Sequence, residues 1–412
     1  MIHGGPVRAC RFCGGALGIP FCDLGAMPVA NNFVAPERAQ EPDPVFPLNA
    51  VVCERCFLVQ LDHMVDATAI FSDYAYLSSV SSTWLTHAAV FVRTMIARLE
   101  LGTDSFVVEV ASNDGYLLRN FVSASVPCLG IEPAANVAAI AEAACVPTLV
   151  AFFGRSLAAT IVAERGHASL IVANNVLAHV PDVNDFVAGL ALLAGPRGIV
   201  SIEFPHLLEL IEGIQFDTIY HEHYAYWSLY AVRQVLAAHG LTVFSVETLA
   251  THGGSLRVLA AAEGRFGPAA LEMVAAAETR AGLATAEAYT GFGAKTRAVI
   301  DPFRDYLDRA RATGRRVSAY GAAAKGTTFL NASHATREDI AVVADRGMFK
   351  QGKLMPGSRI PITGVHGLLD ARPGEVLILP WNIANEIAHE LRALNGWTAR
   401  LLAASPALRD IA

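Results

Sequence analysis

Four cysteines in two tight pairs carry the first recognisable chemistry of this chain. Cys10-Arg11-Phe12-Cys13 and Cys53-Glu54-Arg55-Cys56 have the spacing at which both sulfurs of a knuckle reach one tetrahedral ion, and two knuckles complete a four-thiolate site. Cys10, Cys13, Cys53 and Cys56 are the expected ligands of one Zn2+. Four protein ligands leave no open position, so the ion is structural. A thiol redox role would sit on a single Cys-x-x-Cys at a helix start. The gap between knuckles leaves room for a β-hairpin or a loop insertion. Cys22, inside it, reads as a small core residue; Cys128 and Cys145 read as inert thiols in apolar surroundings.

A second concentration of reactive groups is Phe216-Asp217-Thr218-Ile219-Tyr220-His221-Glu222-His223-Tyr224-Ala225-Tyr226-Trp227. It is no zincin motif, which needs histidines at i and i+4 with a glutamate between. One histidine in such a loop would read as a satisfied polar side chain. This cluster, placed after a sheet strand, reads as functional.

Apolar strand-like runs alternate with helical stretches around it. Val107-Val108-Glu109-Val110, Cys128-Leu129-Gly130-Ile131, Leu170-Ile171-Val172-Ala173 and Ile199-Val200-Ser201-Ile202 are the clearest. Such alternation implies a parallel sheet covered on both faces. Leu241 to Leu249 and Ser255 to Ala262 read as an antiparallel pair closing it. We divide the chain into a zinc module (1–72), an α/β domain (73–263), a helical linker (264–312) and a second α/β domain (313–412). Of the 412 residues 17% are charged and the net charge is −7, which speaks for a compact fold and against a nucleic-acid partner. No run of 18 uninterrupted apolar residues occurs, so no membrane span is expected. The first residues lack a signal-peptide core, so a cytoplasmic location is expected.

Strand ends of a parallel sheet are where ligands bind. The first strand runs into Glu109-Val110-Ala111-Ser112-Asn113-Asp114-Gly115, a tight turn of small residues with Ala111 and Asn113 where glycines often stand. Glu132, before Pro133, lies about 20 residues further on, as ribose-diol binding wants. Ala151-Phe152-Phe153-Gly154 sits ahead of the third strand and offers an aromatic to adenine, and the fourth strand ends in Asn174 and Asn175, followed by His179. The turn alone is that of any Rossmann-like fold.

Taken together these motifs resemble a known family. The middle of the chain is similar to class I S-adenosylmethionine-dependent methyltransferases. The whole resembles sugar C-methyltransferases that act on nucleotide-linked 4-keto-deoxysugars. Carrying the resemblance are the cysteine pairs, Tyr74-Ala75-Tyr76-Leu77-Ser78-Ser79-Val80-Ser81-Ser82, the Glu109-to-Gly115 turn, Gly130-Ile131-Glu132-Pro133, the 174–181 and 216–223 stretches, Thr251-His252-Gly253-Gly254-Ser255, the 320–326 turn and the 345–361 stretch. Ala111-Ser112 departs from it, since a Gly-Cys or similar pair is common there. The resemblance implies a class I methyltransferase Rossmann-like core, a small N-terminal zinc module and a C-terminal Rossmann-like α/β domain. It implies S-adenosylmethionine as cofactor. It places the base at His223, with Tyr220 and Glu222 holding or polarising the sugar, His179 as second base or enolate donor, and Tyr76 reaching in. C-methylation needs this chemistry, because a proton next to a ketone leaves only if the enolate is stabilised, and histidine titrates in the right range. His252, Lys325, Lys350 and Trp381 are candidate contacts to the nucleotide-linked sugar; a plain hairpin at His252, and a second Rossmann-like module without a phosphate at the 321–326 turn, stay open. Two alternatives also stay open: an added NADPH-dependent ketoreductase activity, and a non-catalytic zinc-dependent interaction protein.

Overall fold

The computed structural model describes residues 3–71, 77–266 and 271–411. Its centre is a seven-stranded sheet. We number its strands β1 (Val107–Val110), β2 (Cys128–Ile131), β3 (Thr148–Leu149), β4 (Leu170–Asn174), β5 (Ile199–Pro205), β6 (Leu241–Leu249) and β7 (Ser255–Ala262). The spatial order is 3-2-1-4-5-7-6, with β7 antiparallel between β5 and β6. This is the class I methyltransferase order, and β6 and β7 pair as the sequence suggests. β1, β2, β4 and β5 are almost wholly buried because helices cover both faces, while the short edge strand β3 is partly exposed. The order reverses between β1 and β4, so the crevice for a ligand opens at their C-terminal ends.

One expectation is corrected. The third strand is the two-residue Thr148–Leu149, so Phe152 and Phe153 follow it rather than precede it. A two-residue edge strand has too little periodicity to be read from sequence.

The N-terminal module is a four-stranded antiparallel sheet of Ile19–Pro28, Val45–Val52, Val59–Leu61 and, at its edge, Ala225–Tyr226. The hairpin between the cysteine knuckles is therefore present. Its fourth strand, however, comes from the polar cluster far along the chain, with Ala225 opposite Gln60.

Of the helices of the 264–312 stretch, Phe292–Ala312 packs on this module, whereas Glu272–Arg280 packs on helix Leu229–Ala237. Phe21 stacks on Phe292 with ring centroids 4.4 Å apart. Beyond them lies a second sheet: β8 (Val317–Tyr320), β9 (Ile340–Ala344), β10 (Ile362–Thr363), β11 (Glu375–Ile378), β12 (Arg400–Ala403) and β13 (Arg409–Asp410), in the order 10-9-8-11-12-13. All its pairs are parallel except β12 with β13, giving the C-terminal Rossmann-like domain. Among the described residues no helix is long and apolar enough to cross a membrane.

Candidate active site

The sulfurs of Cys10, Cys13, Cys53 and Cys56 all lie within 4.8 Å of one another. Cys10 and Cys56 are 3.6 Å apart, Cys13 and Cys53 3.5 Å. A tetrahedron with Zn–S arms of about 2.3 Å has edges of about 3.8 Å. Donor set and spacing thus fit a closed structural zinc site. Cys22 is buried beside Thr296, where burial pushes its thiol up to about 11, in keeping with a core role. Cys128 is buried, but Cys145 is exposed, contrary to its apolar neighbours in sequence.

The turn after β1 adopts an unusual backbone. Ala111, Asn113 and Gly115 all have positive φ, at 56°, 51° and 74°. This left-handed conformation favours glycine, which explains why glycines often stand where Ala111 and Asn113 do. Gly115 is also needed for space, since a Cβ there would lie 2.9 Å from Val146 Cγ2. Glu132 spans the turn: Oε2 accepts from the Asn113 N–H and Oε1 from the Ala134 N–H, both at 2.9 Å. Ser78 N–H donates to Asn113 Oδ1 and Ser79 N–H to Asp114 Oδ2, so the stretch before the first long helix lies on the turn. Burial and the charges of Asp114 and Glu132 push the Glu109 carboxyl well above the usual range. Around this crevice Glu109 Oε2, Asp114 Oδ1, Asn174 Oδ1 and Asn175 Oδ1 are buried without a partner among the described residues. Buried polar atoms are normally paired, so this ring of acceptors fits a ligand rich in hydroxyls and N–H groups, as an adenosyl donor is. Phe153 is edge-on to Phe186 at 5.6 Å, whereas Phe152 is half-exposed and keeps a face available to an adenine. Pro133 follows Glu132 at the crevice rim.

The loop after β4 and the 216–227 cluster meet beside this crevice. His179 Nδ1–H donates to the Glu222 carbonyl at 2.7 Å, and the His179 and His223 rings are 4.7 Å apart. His223 Nδ1–H donates to the Thr218 carbonyl, leaving Nε2 to accept from the Tyr220 hydroxyl, both at 2.8 Å. Both imidazoles are thus Nδ1–H tautomers whose Nε2 accepts rather than donates. Burial pulls His179 down to about 4; burial and the neighbouring His179 pull His223 well below its usual value. Neutral His179 in this tautomer presents Nε2 as an acceptor. A small recess lined by Ala178, Thr218, Tyr226 and Trp227 adjoins His223. Glu222 is buried, and burial raises its carboxyl; Oε1 accepts from both the N–H and Nδ2 of Asn31 at 3.1 Å. Its resolved role is to anchor the zinc module to the cluster. Tyr76 lies outside the described residues.

The candidate sugar contacts divide. Lys325, at the start of helix Ala324–Ala332, reaches the His252 carbonyl and Asn382 Oδ1 and lies over the Trp381 ring at 4.6 Å. Trp381 Nε1 donates to Asp217 Oδ2 at 2.7 Å, and Asp217 Oδ1 has no partner among the described residues. His252, Lys325, Trp381 and Asp217 therefore form one cluster between the methyltransferase core and the C-terminal domain. Lys350 stands apart, bonded to the Ala322 carbonyl and to Asp345. Asp217 and Asn31 were missed as functional residues by sequence reasoning. Asp217 lies inside the reactive cluster, which was a signal; Asn31 carried none.

Three family models match the chain in succession: "Putative zinc binding domain" over residues 10–71, "Methyltransferase domain" over 84–246 and "C-methyltransferase C-terminal domain" over 250–406. The chain is 35% identical to the C-methyltransferase NovU of Streptomyces niveus over 385 residues, covering 93% of this chain and 91% of NovU. Among solved structures, the magnesium protoporphyrin IX methyltransferase of Synechocystis PCC 6803 with bound SAM matches at 14% identity, covering 43% of this chain and 78% of that one, TM-score 0.31. An S-adenosylmethionine-dependent methyltransferase of Clostridium acetobutylicum matches at 7% identity, covering 44% and 92%, TM-score 0.35. Scores this low carry no argument, and the fold rests on the strand order instead.

Proposed function

This chain belongs to the C-methyltransferase family and depends on S-adenosylmethionine, and from that premise we propose that its acceptor is a nucleotide-linked 4-keto-deoxysugar, methylated on a carbon next to the ketone. The observation that carries the reading is the Tyr220–His223 hydrogen bond beside His179, next to the donor crevice. A neutral imidazole holding a phenol is a proton acceptor waiting for a weak carbon acid, which O- or N-methylation does not require.

S-adenosylmethionine, when bound, supplies an electrophilic methyl group. Glu132 would hold the donor's ribose hydroxyls and Phe152 its adenine, and Asn174 and Asn175 would line the crevice toward His179. His223 Nε2 is already occupied by the Tyr220 hydroxyl. Tyr220 therefore takes the proton from the carbon as it passes its own to His223, and the carbon is left as the enolate nucleophile. Thr218, through its carbonyl, holds the imidazole orientation and favours the imidazolium that forms. Lys325 and His252 meet the diphosphate, and the free Asp217 oxygen accepts a hydroxyl.

The test is a mass-spectrometric screen of nucleotide-linked 4-keto sugars with S-adenosylmethionine. A gain of one carbon-bound methyl is the expected result. Donor binding with no methyl gain on any keto sugar would sink the acceptor assignment.

A further inference from the structure

We propose that Arg11, inside the first cysteine knuckle, is a positioning residue that locks the two histidine-bearing loops into one frame. Its guanidinium ends on main-chain carbonyls of both: Nη1 donates to Val180 at 2.8 Å and Pro181 at 2.9 Å, and Nη2 to Tyr224 at 2.6 Å. Val180 follows His179 and Tyr224 follows His223. The same guanidinium lies 5.8 Å from the Tyr224 ring centroid.

Arg11 is itself held from behind. Its N–H donates to Gln60 Oε1 at 3.1 Å, and its carbonyl accepts from Asn184 Nδ2 at 3.1 Å. Gln60 sits opposite Ala225, and Asn184 is on helix Val183–Ala194, which follows the His179 loop. Two metal ligands, Cys10 and Cys13, flank it. The zinc knuckle thus acts as a splint: the ion fixes the knuckle, the knuckle fixes Arg11, and Arg11 fixes the His179 loop to the 216–227 loop, whose Glu222 and Thr218 carbonyls set both imidazole tautomers. Only a planar fork spans three carbonyls on two loops; a lysine offers one point of charge. The inference rests on the histidine pair being the reacting centre, but its test needs no turnover.

The decisive variant is Arg11→Lys, with imidazole-labelled histidine followed by NMR. In the parent protein His179 and His223 should appear as Nδ1–H tautomers. Arg11→Lys should keep one zinc per chain by metal analysis and bind S-adenosylhomocysteine within about twofold by calorimetry. Its two histidine signals should average between tautomers, and amide exchange in 176–182 and 218–226 should quicken at least about tenfold, with 107–116 unchanged. Unchanged tautomers and exchange in a folded, zinc-loaded variant overturn the proposal. So does loss of zinc, which would make Arg11 part of the metal module alone. Should Arg11→Lys not fold, Asn184→Ala loosens the same frame from behind and should shift the same signals less; no shift there overturns the proposal as well.

Discussion

His223 gives its only proton to the Thr218 carbonyl, which by itself favours the imidazolium, but burial and the adjacent His179 outweigh that bond and hold the ring neutral. A histidine whose pKa is pulled down is competent as a base at every pH above that lowered value. The acid limb of the methyl-transfer rate should therefore lie well below the ordinary histidine value of about 6.5. His179, held near 4, does not move that limb upward. A kcat–pH profile checks this, and an acid limb near 6.5 would contradict a buried neutral base. His223→Asn should leave donor binding intact and cut methyl transfer by about 10²–10⁴. Because Tyr220 occupies Nε2, Tyr220→Phe should lose nearly as much. Exchange of the substrate proton with deuterated water should fall in parallel in both variants. If Tyr220→Phe costs only a few-fold, the phenol merely orients the sugar; if His179→Asn abolishes exchange while His223→Asn does not, His179 is the base.

The turn after β1 shows how an element imposes its geometry on whatever residues occupy it. Glu132 braces that turn through Asn113 and Ala134 while presenting its remaining lone pairs to the crevice. Glu132→Ala should weaken S-adenosylmethionine binding by roughly 1.5–3 kcal/mol, the range for hydrogen bonds to a charged group. Glu132→Gln, which keeps an amide oxygen for one of these N–H groups, should lose less. Calorimetric titration decides, and unchanged affinity for both variants would remove Glu132 from the site. Much of this element is readable in advance: the long strands, the acid after β2 and the asparagines at the end of β4 all follow local apolar periodicity and spacing. What joins elements was not. Ala225–Tyr226 as an edge strand of the N-terminal sheet, the Asn31–Glu222 anchor and the clamp of Arg11 are long-range pairings with no local pattern. The buried network in which Glu203 accepts from Arg257, with His87 and Thr251 alongside, is another: its members lie on β5, β7, a helix and a turn. Sequence shows the cysteines as ligands because their chemistry is local; it shows Arg11 only as a spacer between them.

The core does not divide where the sequence texture divides. Cys10, Cys53, Cys56 and Leu58 pack in one apolar cluster with Val108, Ile171 and Leu190 of the methyltransferase core. Leu48, Val59 and Leu61 share a second with Phe216, Phe303, Val317 and Leu330, which joins the zinc module to the C-terminal domain. Thr327 and Thr328 add hydrogen bonds to the carbonyls of Ala30 and Ile219. The zinc module is thus a wedge between the other two bodies, and a metal held there should stabilise all three. A ligand bound only by the folded state at about 1,000 times its dissociation constant contributes roughly 4 kcal/mol, and structural zinc is such a ligand. Metal analysis should find one zinc per chain, and chelation should lower the melting midpoint by several degrees. Because both apolar clusters run through the module, calorimetry should show one transition that moves as a whole rather than an early melting of the N-terminus. Two transitions of which only the lower shifts with chelator would mean that the module unfolds alone, and its packing on the rest would then contribute little. Absence of zinc from native protein would remove the metal itself.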